Sequence, residues 1–253
     1  MLGIPTVFDT LPQFLVVALC LFCAEGVYVL FGFGAGMIAV GSLAVVMPDV
    51  QDVVVLLLLV SAPPELLVVW RSRQRISWRG VLAIGLGIAA GVPLGTWILQ
   101  RGEPAFVLTL LALFLIVVGL LFLLLPARRA LRWPRWTPPS VGLLSGVLSG
   151  IFGTGGPPLI FYYQLGGAEK AAFRGNLMAI FLLVTLVRVP TYAVAGLITG
   201  PRLGSALVLL PAVLLAAWLG NRIHVSLSEP AFRRLVSGAL VLIGVVLLVR
   251  HGL

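Results

Sequence analysis

Long apolar runs separated by short polar stretches make up almost the whole chain. A helix that crosses a bilayer needs about 20 mostly apolar residues, and the runs have that length. The first covers 11–31, breaks at Gly32-Phe-Gly-Ala-Gly36, resumes through 37–47 and is closed by the polar turn Pro48-Asp-Val-Gln-Asp52. Residues 53–70 follow, interrupted by Pro63-Pro-Glu65, and then the basic loop Arg71-Ser-Arg-Gln-Arg-Ile-Ser-Trp-Arg79. A third run, 80–99, carries Gly87, Gly91 and Gly95 four apart, a spacing that lets another helix approach closely. Later runs fall at 104–125, 141–163, 171–198, 203–221 and 232–249, and the one at 141–163 holds a second ladder, Gly142, Gly146 and Gly150. Counting each broken run as one crossing predicts an all-α polytopic membrane protein of about eight transmembrane helices.

The interruption inside 141–163 is the most informative stretch. Four glycines and two prolines occur within the nine residues 150–158. Proline lacks the amide donor and glycine weakens a helix, so regular helix cannot continue there. In lipid, broken backbone is tolerated only where protein buries it or a watery cavity meets it. Freed amides facing the start of a second helical piece make a site for an anion. The breaks at 32–36 and 153–158 leave open whether those segments cross fully or re-enter.

Composition agrees with a bilayer. Of the 253 residues 60% are hydrophobic and 10% charged, with a mean hydropathy of +1.16; a soluble domain carries about 25% charged residues. The alternating short segments of a membrane barrel are absent. The net charge of +9 would suggest nucleic acid in a soluble protein. Here the arginines sit in short loops between apolar runs, the usual cytoplasmic bias, so no nucleic-acid partner is expected and the lipid bilayer is. Cys20 and Cys23 form a CxxC inside the first apolar run, with no second pair, and read as packing residues. His224 and His251 have no ligand-spaced partner, so neither a metal nor any other cofactor is expected.

The chain repeats itself. Phe33-Gly-Ala-Gly36 matches Phe152-Gly-Thr-Gly155, and Glu103-Pro-Ala-Phe106 matches Glu229-Pro-Ala-Phe232, in the same order and at the same places in the hydropathy pattern. This predicts two homologous four-helix halves, an N-terminal repeat at 1–125 and a C-terminal repeat at 141–253. The linker 126–140 between them is basic and aromatic, with Arg128, Arg129, Arg132, Arg135, Trp133 and Trp136. Four spans per half imply parallel repeats about an axis along the membrane normal. Duplicated halves that meet at a midplane site built from glycine-broken helices are a transporter design, and the two breaks are expected to face each other. The basic loops at 71–79 and 126–140 place both termini in the cytoplasm, although Arg222, Arg233 and Arg234 then fall on the wrong side.

These features resemble the sulfite exporter TauE/SafE family. The likeness rests on two halves that each open with a glycine-rich motif, on Gly153-Thr-Gly-Gly-Pro-Pro-Leu159, on Arg174-Gly-Asn176, on Trp78-Arg79 and on Tyr192 to Gly196. It covers nearly the whole chain. It implies a multi-pass permease of the bacterial cell (inner) membrane, often linked to export of sulfite, sulfonates or related organic anions. The first half departs from the second, since Gly-Phe-Gly-Ala-Gly-Met lacks both the glycine pair and the following proline. The second half is therefore expected to supply most contacts.

Candidate residues follow. Thr154, Gly155 and Gly156, with Gly153 before them, could offer hydroxyl and amide donors to an oxyanion, or could form only a packing kink. Gly34 and Gly36 are the counterparts in the first half. Arg188 lies about 25 Å into its span at 1.5 Å per residue. A charge at that depth costs several kcal/mol unless paired or hydrated, which makes it a candidate anion ligand or half of an ion pair. Glu65, at comparable depth in the repeat-equivalent span, is the expected partner. Arg174 and Asn176 either touch substrate or stabilise a helix end. Glu25 is a candidate for carrying a coupled proton or for hydrogen-bonding a neighbouring helix.

Together these predict a secondary transporter, an exporter of a small anion such as sulfite or a sulfonate, working by alternating access. A cation or metal permease is the alternative, and it would want a cluster of acids, histidines or thiolates within the spans, where only Glu25 and Glu65 qualify. An enzyme is not expected: no HExxH, GxSxG or Walker motif occurs. Proton coupling and oligomeric state, a homodimer included, stay open.

Overall fold

The computed structural model describes residues 5–31, 35–47, 49–72, 76–124, 131–167, 170–222 and 229–251. Among them are ten α-helices and no strand: α1 Leu11–Phe31, α2 Ala35–Val46, α3 Val50–Ser72, α4 Trp78–Arg101, α5 Pro104–Leu124, α6 Thr137–Phe152, α7 Gly156–Leu165, α8 Lys170–Val194, α9 Gly200–Arg222 and α10 Glu229–His251. By length and composition α4, α5, and most of α8 and α9 are long and apolar enough to cross a membrane. Their outward side chains suit lipid: Leu86, Phe106, Leu124, Leu207 and Trp218 are all exposed. Water would not tolerate so much apolar surface, whereas acyl chains do.

The helices form two compact units. Unit 1 comprises residues 1–60, 102–125 and 198–253; unit 2 comprises 61–101 and 126–197. Each draws on chain from both sides of the basic linker.

In unit 1, α1 packs on α2 and α9, while α10 packs on α5 and α2. α5 and α10 run antiparallel, because Gly119 lies against Ser237 and Val241 while Gly244 lies against Ala112 and Ile116. At one end of the unit Arg202, in the first turn of α9, bonds Asp52 Oδ1 at 2.6 Å and Asp49 Oδ2 at 3.2 Å. Nearby the Val7 N–H donates to Ser205 Oγ at 2.8 Å, and Arg250 Nη1 donates to the Val45 carbonyl at 2.7 Å. These bonds gather the starts of α1, α3 and α9 with the ends of α2 and α10. The segment 11–47, expected as one kinked crossing, is thus two helices whose outer ends meet on the same side.

In unit 2, α4 packs on α6 and α8. The two glycine ladders read from the sequence lie on each other. Gly87 meets Pro139, Gly142 and Leu143; Gly91 meets Leu143, Gly146 and Val147; Gly95 meets Val147 and Gly150. The order is the same in both helices, so α4 and α6 run parallel. A Cβ added at any of these six positions would come within 3.0 Å of the other helix's backbone, so the axes can be this close only because side chains are missing on both. α8 runs parallel to α4 as well: Asn176 Oδ1 accepts from the Ser77 N–H at 2.8 Å near their starts, and Gln100 Nε2 donates to the Ala195 carbonyl at 2.9 Å near their ends.

The segment 141–163 does not cross as one piece either. α6 ends at Gly153, which takes the left-handed conformation at φ 75° and returns its N–H to the Ser149 carbonyl at 3.0 Å. Glycine adopts that conformation without a Cβ penalty, and this is a common way to stop a helix. α7 then starts with Pro157 and Pro158 in its first turn, where a missing amide costs nothing. It leads back to where α6 began: Trp133 Nε1 donates to the Tyr162 carbonyl at 3.1 Å, and the Leu131 N–H donates to the Leu165 carbonyl at 2.9 Å. α6 and α7 form a hairpin.

Candidate functional site

The turn between α6 and α7 collects most of the described candidates. Gly153 closes α6, Thr154 is buried, Gly155 precedes α7 and Gly156 opens it. Gly155 is pressed against α6, because a Cβ there would lie 2.1 Å from the Ser145 carbonyl and 2.2 Å from Ser149 Oγ. Ser145 Oγ donates to the Gly155 carbonyl at 2.5 Å, which pins the return strand of the turn. By position Gly155 caps α7 and Gly156 is its first residue, so their amides have no intrahelical acceptor. Pro157 and Pro158 remove the next two donors altogether, so the positive end of α7 is concentrated on the glycines.

Arg188 reaches this turn from α8. It is buried, at 4% exposure. Its Nη1 donates to the Gly153 carbonyl at 3.4 Å and its Nη2 to the Tyr192 hydroxyl at 3.1 Å, and its guanidinium lies 4.9 Å from the centroid of the Tyr192 ring. The Tyr192 hydroxyl in turn donates to the Gly150 carbonyl at 2.8 Å. The guanidinium therefore sits at the carbonyl end of α6, where the helix dipole is negative, and within one turn of the amide end of α7, where it is positive. Fully buried Tyr192 holds the cation in place. In the sequence Arg188 stands out as a candidate ligand, whereas Tyr192 stands out only within the family likeness, and Ser145 and Ser149 do not stand out at all. The signal for Tyr192 was its place one helical turn beyond Arg188, a spacing at which side chains meet.

Other candidates lie elsewhere. Asn176 is buried and about 18 Å from Arg188 along α8 at 1.5 Å per residue, with its carbonyl oxygen on the Ser77 N–H at the start of α4. Asn176→Ala should lower the melting temperature of the purified protein by the equivalent of ~1–2 kcal/mol, the cost of stranding a buried amide. Asn176→Asp, which keeps an acceptor, should recover most of it. In unit 1, Glu25 is buried on α1, and Gly36 is half-buried in the first turn of α2. Gly34 lies outside the described residues, as do the side chains of Arg174 in α8 and Glu65 in α3, and with them the expected Glu65–Arg188 pair. Among the described residues no group of three His, Cys, Asp or Glu is placed to hold a metal.

Comparison with known proteins adds a second line of argument. The model of the family described as sulfite exporter TauE/SafE matches residues 17–247. A protein of Cupriavidus necator described as a probable sulfite/organosulfonate exporter TauE is 30% identical over 217 residues, covering 84% of this chain and 85% of that one. A protein of Comamonas testosteroni described as a probable inner membrane transporter protein TsaS is 28% identical over 190 residues, covering 75% and 80%. No solved structure matches. The match to the family runs through the ladders, the broken turn and Arg188, and on that span this chain belongs to the sulfite exporter TauE/SafE family.

Proposed function

We propose that this chain is a secondary transporter that exports a small sulfur-containing anion, sulfite or a sulfonate, across a bacterial inner membrane by alternating access. The observation that carries the reading is the α6–α7 turn of unit 2. There a buried guanidinium stands beside a broken helix whose next piece begins with glycine amides. A sulfite or sulfonate group, with three oxygens splayed from one sulfur, suits that set, because the arginine fork binds two of them and the amides of Gly155 and Gly156, with the hydroxyl of Thr154, bind another. The name of the Cupriavidus relative supports the same cargo, and that of the Comamonas relative supports an inner membrane transporter. The glycine-rich segment 32–36, with Gly34 and Gly36, is proposed by its sequence to offer amides of the same kind within unit 1. Glu25, buried on α1, is the described residue proposed to carry a coupled proton.

The test is flux. Purified protein in proteoliposomes should move labelled sulfite saturably, sulfonates should compete, and an imposed pH gradient should change the rate if Glu25 titrates during the cycle. Absence of flux for every sulfur anion, with the protein folded, would end this reading.

A further inference from the structure

Each unit, taken alone, has one basic end and one end that is not. In unit 1 the end that gathers the starts of α1, α3 and α9 with the end of α10 carries Asp9, Asp49 and Asp52 against Arg202 and Arg250. α5 runs antiparallel to α10 and so begins at that end, which adds Glu103. The opposite end, where Arg233 Nε bonds the Phe122 carbonyl near the end of α5, carries Arg222, Arg233 and Arg234 against Glu229. In unit 2 the end where α4, α6 and α8 all start, and where α7 returns, carries Arg79, Arg132, Arg135 and Lys170. By sequence the segments leading into α4 and α6 add Arg73, Arg75, Arg128 and Arg129, and the one leading into α8 adds the single acid Glu169. The far end of unit 2 carries Arg101.

Short loops rich in arginine and lysine stay in the cytoplasm, where the leaflet is anionic. Trp78, Trp133 and Trp136 are exposed at the basic end of unit 2, as aromatic side chains are at the headgroup level. We propose that these two basic ends face the anionic headgroups of the cytoplasmic leaflet, so that the start of α1, the end of α10 and the Asp49–Asp52–Arg202 cluster lie outside the cytoplasm. This reverses the orientation that the same basic-loop rule gives for eight crossings, and the reason is physical. Counted as kinked crossings, 11–47 and 141–163 each switch the chain to the other side of the bilayer. As hairpins, they leave where they entered. The end of α9 and the start of α10, whose arginines fall on the wrong side of an eight-crossing chain, then join the other basic ends. The two units give the same answer independently where the chain passes between them: unit 2 puts the end of α4 outside, unit 1 puts the start of α5 outside, and only Gly102 and Glu103 separate those helices. Each half of the duplicated sequence then holds one hairpin and three crossings. An odd number inverts the second half relative to the first, the arrangement of inverted-repeat transporters, in place of the parallel repeats that four spans implied.

Thiol labelling in intact bacterial cells tests this. In full-length protein with Cys20→Ser and Cys23→Ser, single cysteines are introduced as Pro5→Cys, Thr199→Cys, Pro134→Cys or Ala231→Cys, all exposed positions whose replacement changes no charge. A membrane-impermeant maleimide should label the first two in intact cells and the last two only after permeabilisation. Protection at 5 and 199 with labelling at 231 would restore the eight-crossing count and overturn the proposal. Should the cysteine variants fail to insert, the natural chain fused at its C-terminus to alkaline phosphatase, active only outside the cytoplasm, decides instead. High phosphatase activity supports the proposal; an inactive phosphatase with a fluorescent C-terminal green-protein fusion overturns it.

Discussion

Gly142→Ala will abolish the stable fold of unit 2, and Gly91→Ala will do nearly the same. In an ordinary exposed helix this exchange adds about 1 kcal/mol of stability, since alanine is the better helix former. Here the sign reverses. A Cβ on Gly142 would stand 2.0 Å from the Ile84 carbonyl oxygen, and one on Gly91 would stand 2.3 Å from the Leu143 oxygen. Both obstacles are backbone, so no side-chain rotation relieves them. Overpacking costs about 1–3 kcal/mol where side chains can shift, and more where they cannot. Between helices in lipid there is no hydrophobic drive to close the seam again, because acyl chains are as apolar as the helices themselves. Parting the helices by about 1 Å forfeits a quarter to a half of the attraction of each contact along the ladder. Gly80→Ala, on the same helix but with its nearest neighbour, Ser77 Oγ, 3.7 Å away, is the control and should melt at or above the parent temperature. Melting of purified variants in one detergent gives the comparison. A Gly142→Ala protein that melts with the parent would mean that α4 and α6 do not pack on their glycines.

The ladders show how much a sequence of this kind reveals. Gly87, Gly91 and Gly95, and again Gly142, Gly146 and Gly150, announce close helix approach by spacing alone, because glycine four apart makes a groove. That the two grooves fill each other is a pairing between distant segments, which no local pattern encodes. The stop at Gly153 was equally visible, since glycine and proline at that density end a helix whatever surrounds them. The reversal after it was not. Residues 141–163 carry no charge, and hydropathy is the same for a kinked crossing as for a hairpin that re-emerges. What separates the two is a pair of hydrogen bonds, Trp133 to Tyr162 and Leu131 to Leu165, made largely by backbone atoms that carry no residue signature. Asn176 is a further case. Its buried amide marks it as engaged, but the Ser77 N–H it serves is 99 residues away.

Arg188→Ala should reduce anion flux to the background of empty liposomes. A charge-assisted hydrogen bond is worth about 1.5–3 kcal/mol, and each 1.4 kcal/mol is roughly a factor of 10 in binding. Losing the fork from a buried turn therefore weakens the anion by about 10- to 100-fold before any loss in the transport step. The substitution also removes the donor that the Gly153 carbonyl and the Tyr192 hydroxyl now share, so folding must be separated from binding. Tyr192→Phe does so. It deletes the hydroxyl that bonds Arg188 and the Gly150 carbonyl and keeps the ring beneath the guanidinium. If Arg188 mattered only as a tie at the end of α6, the two variants would lose flux alike. If Arg188 holds the anion, Tyr192→Phe retains flux with a raised KM, and Arg188→Lys falls between, because lysine restores the charge without the planar fork. A folded Arg188→Ala protein with parental sulfite flux would remove this residue from the site and leave only backbone amides to bind the anion.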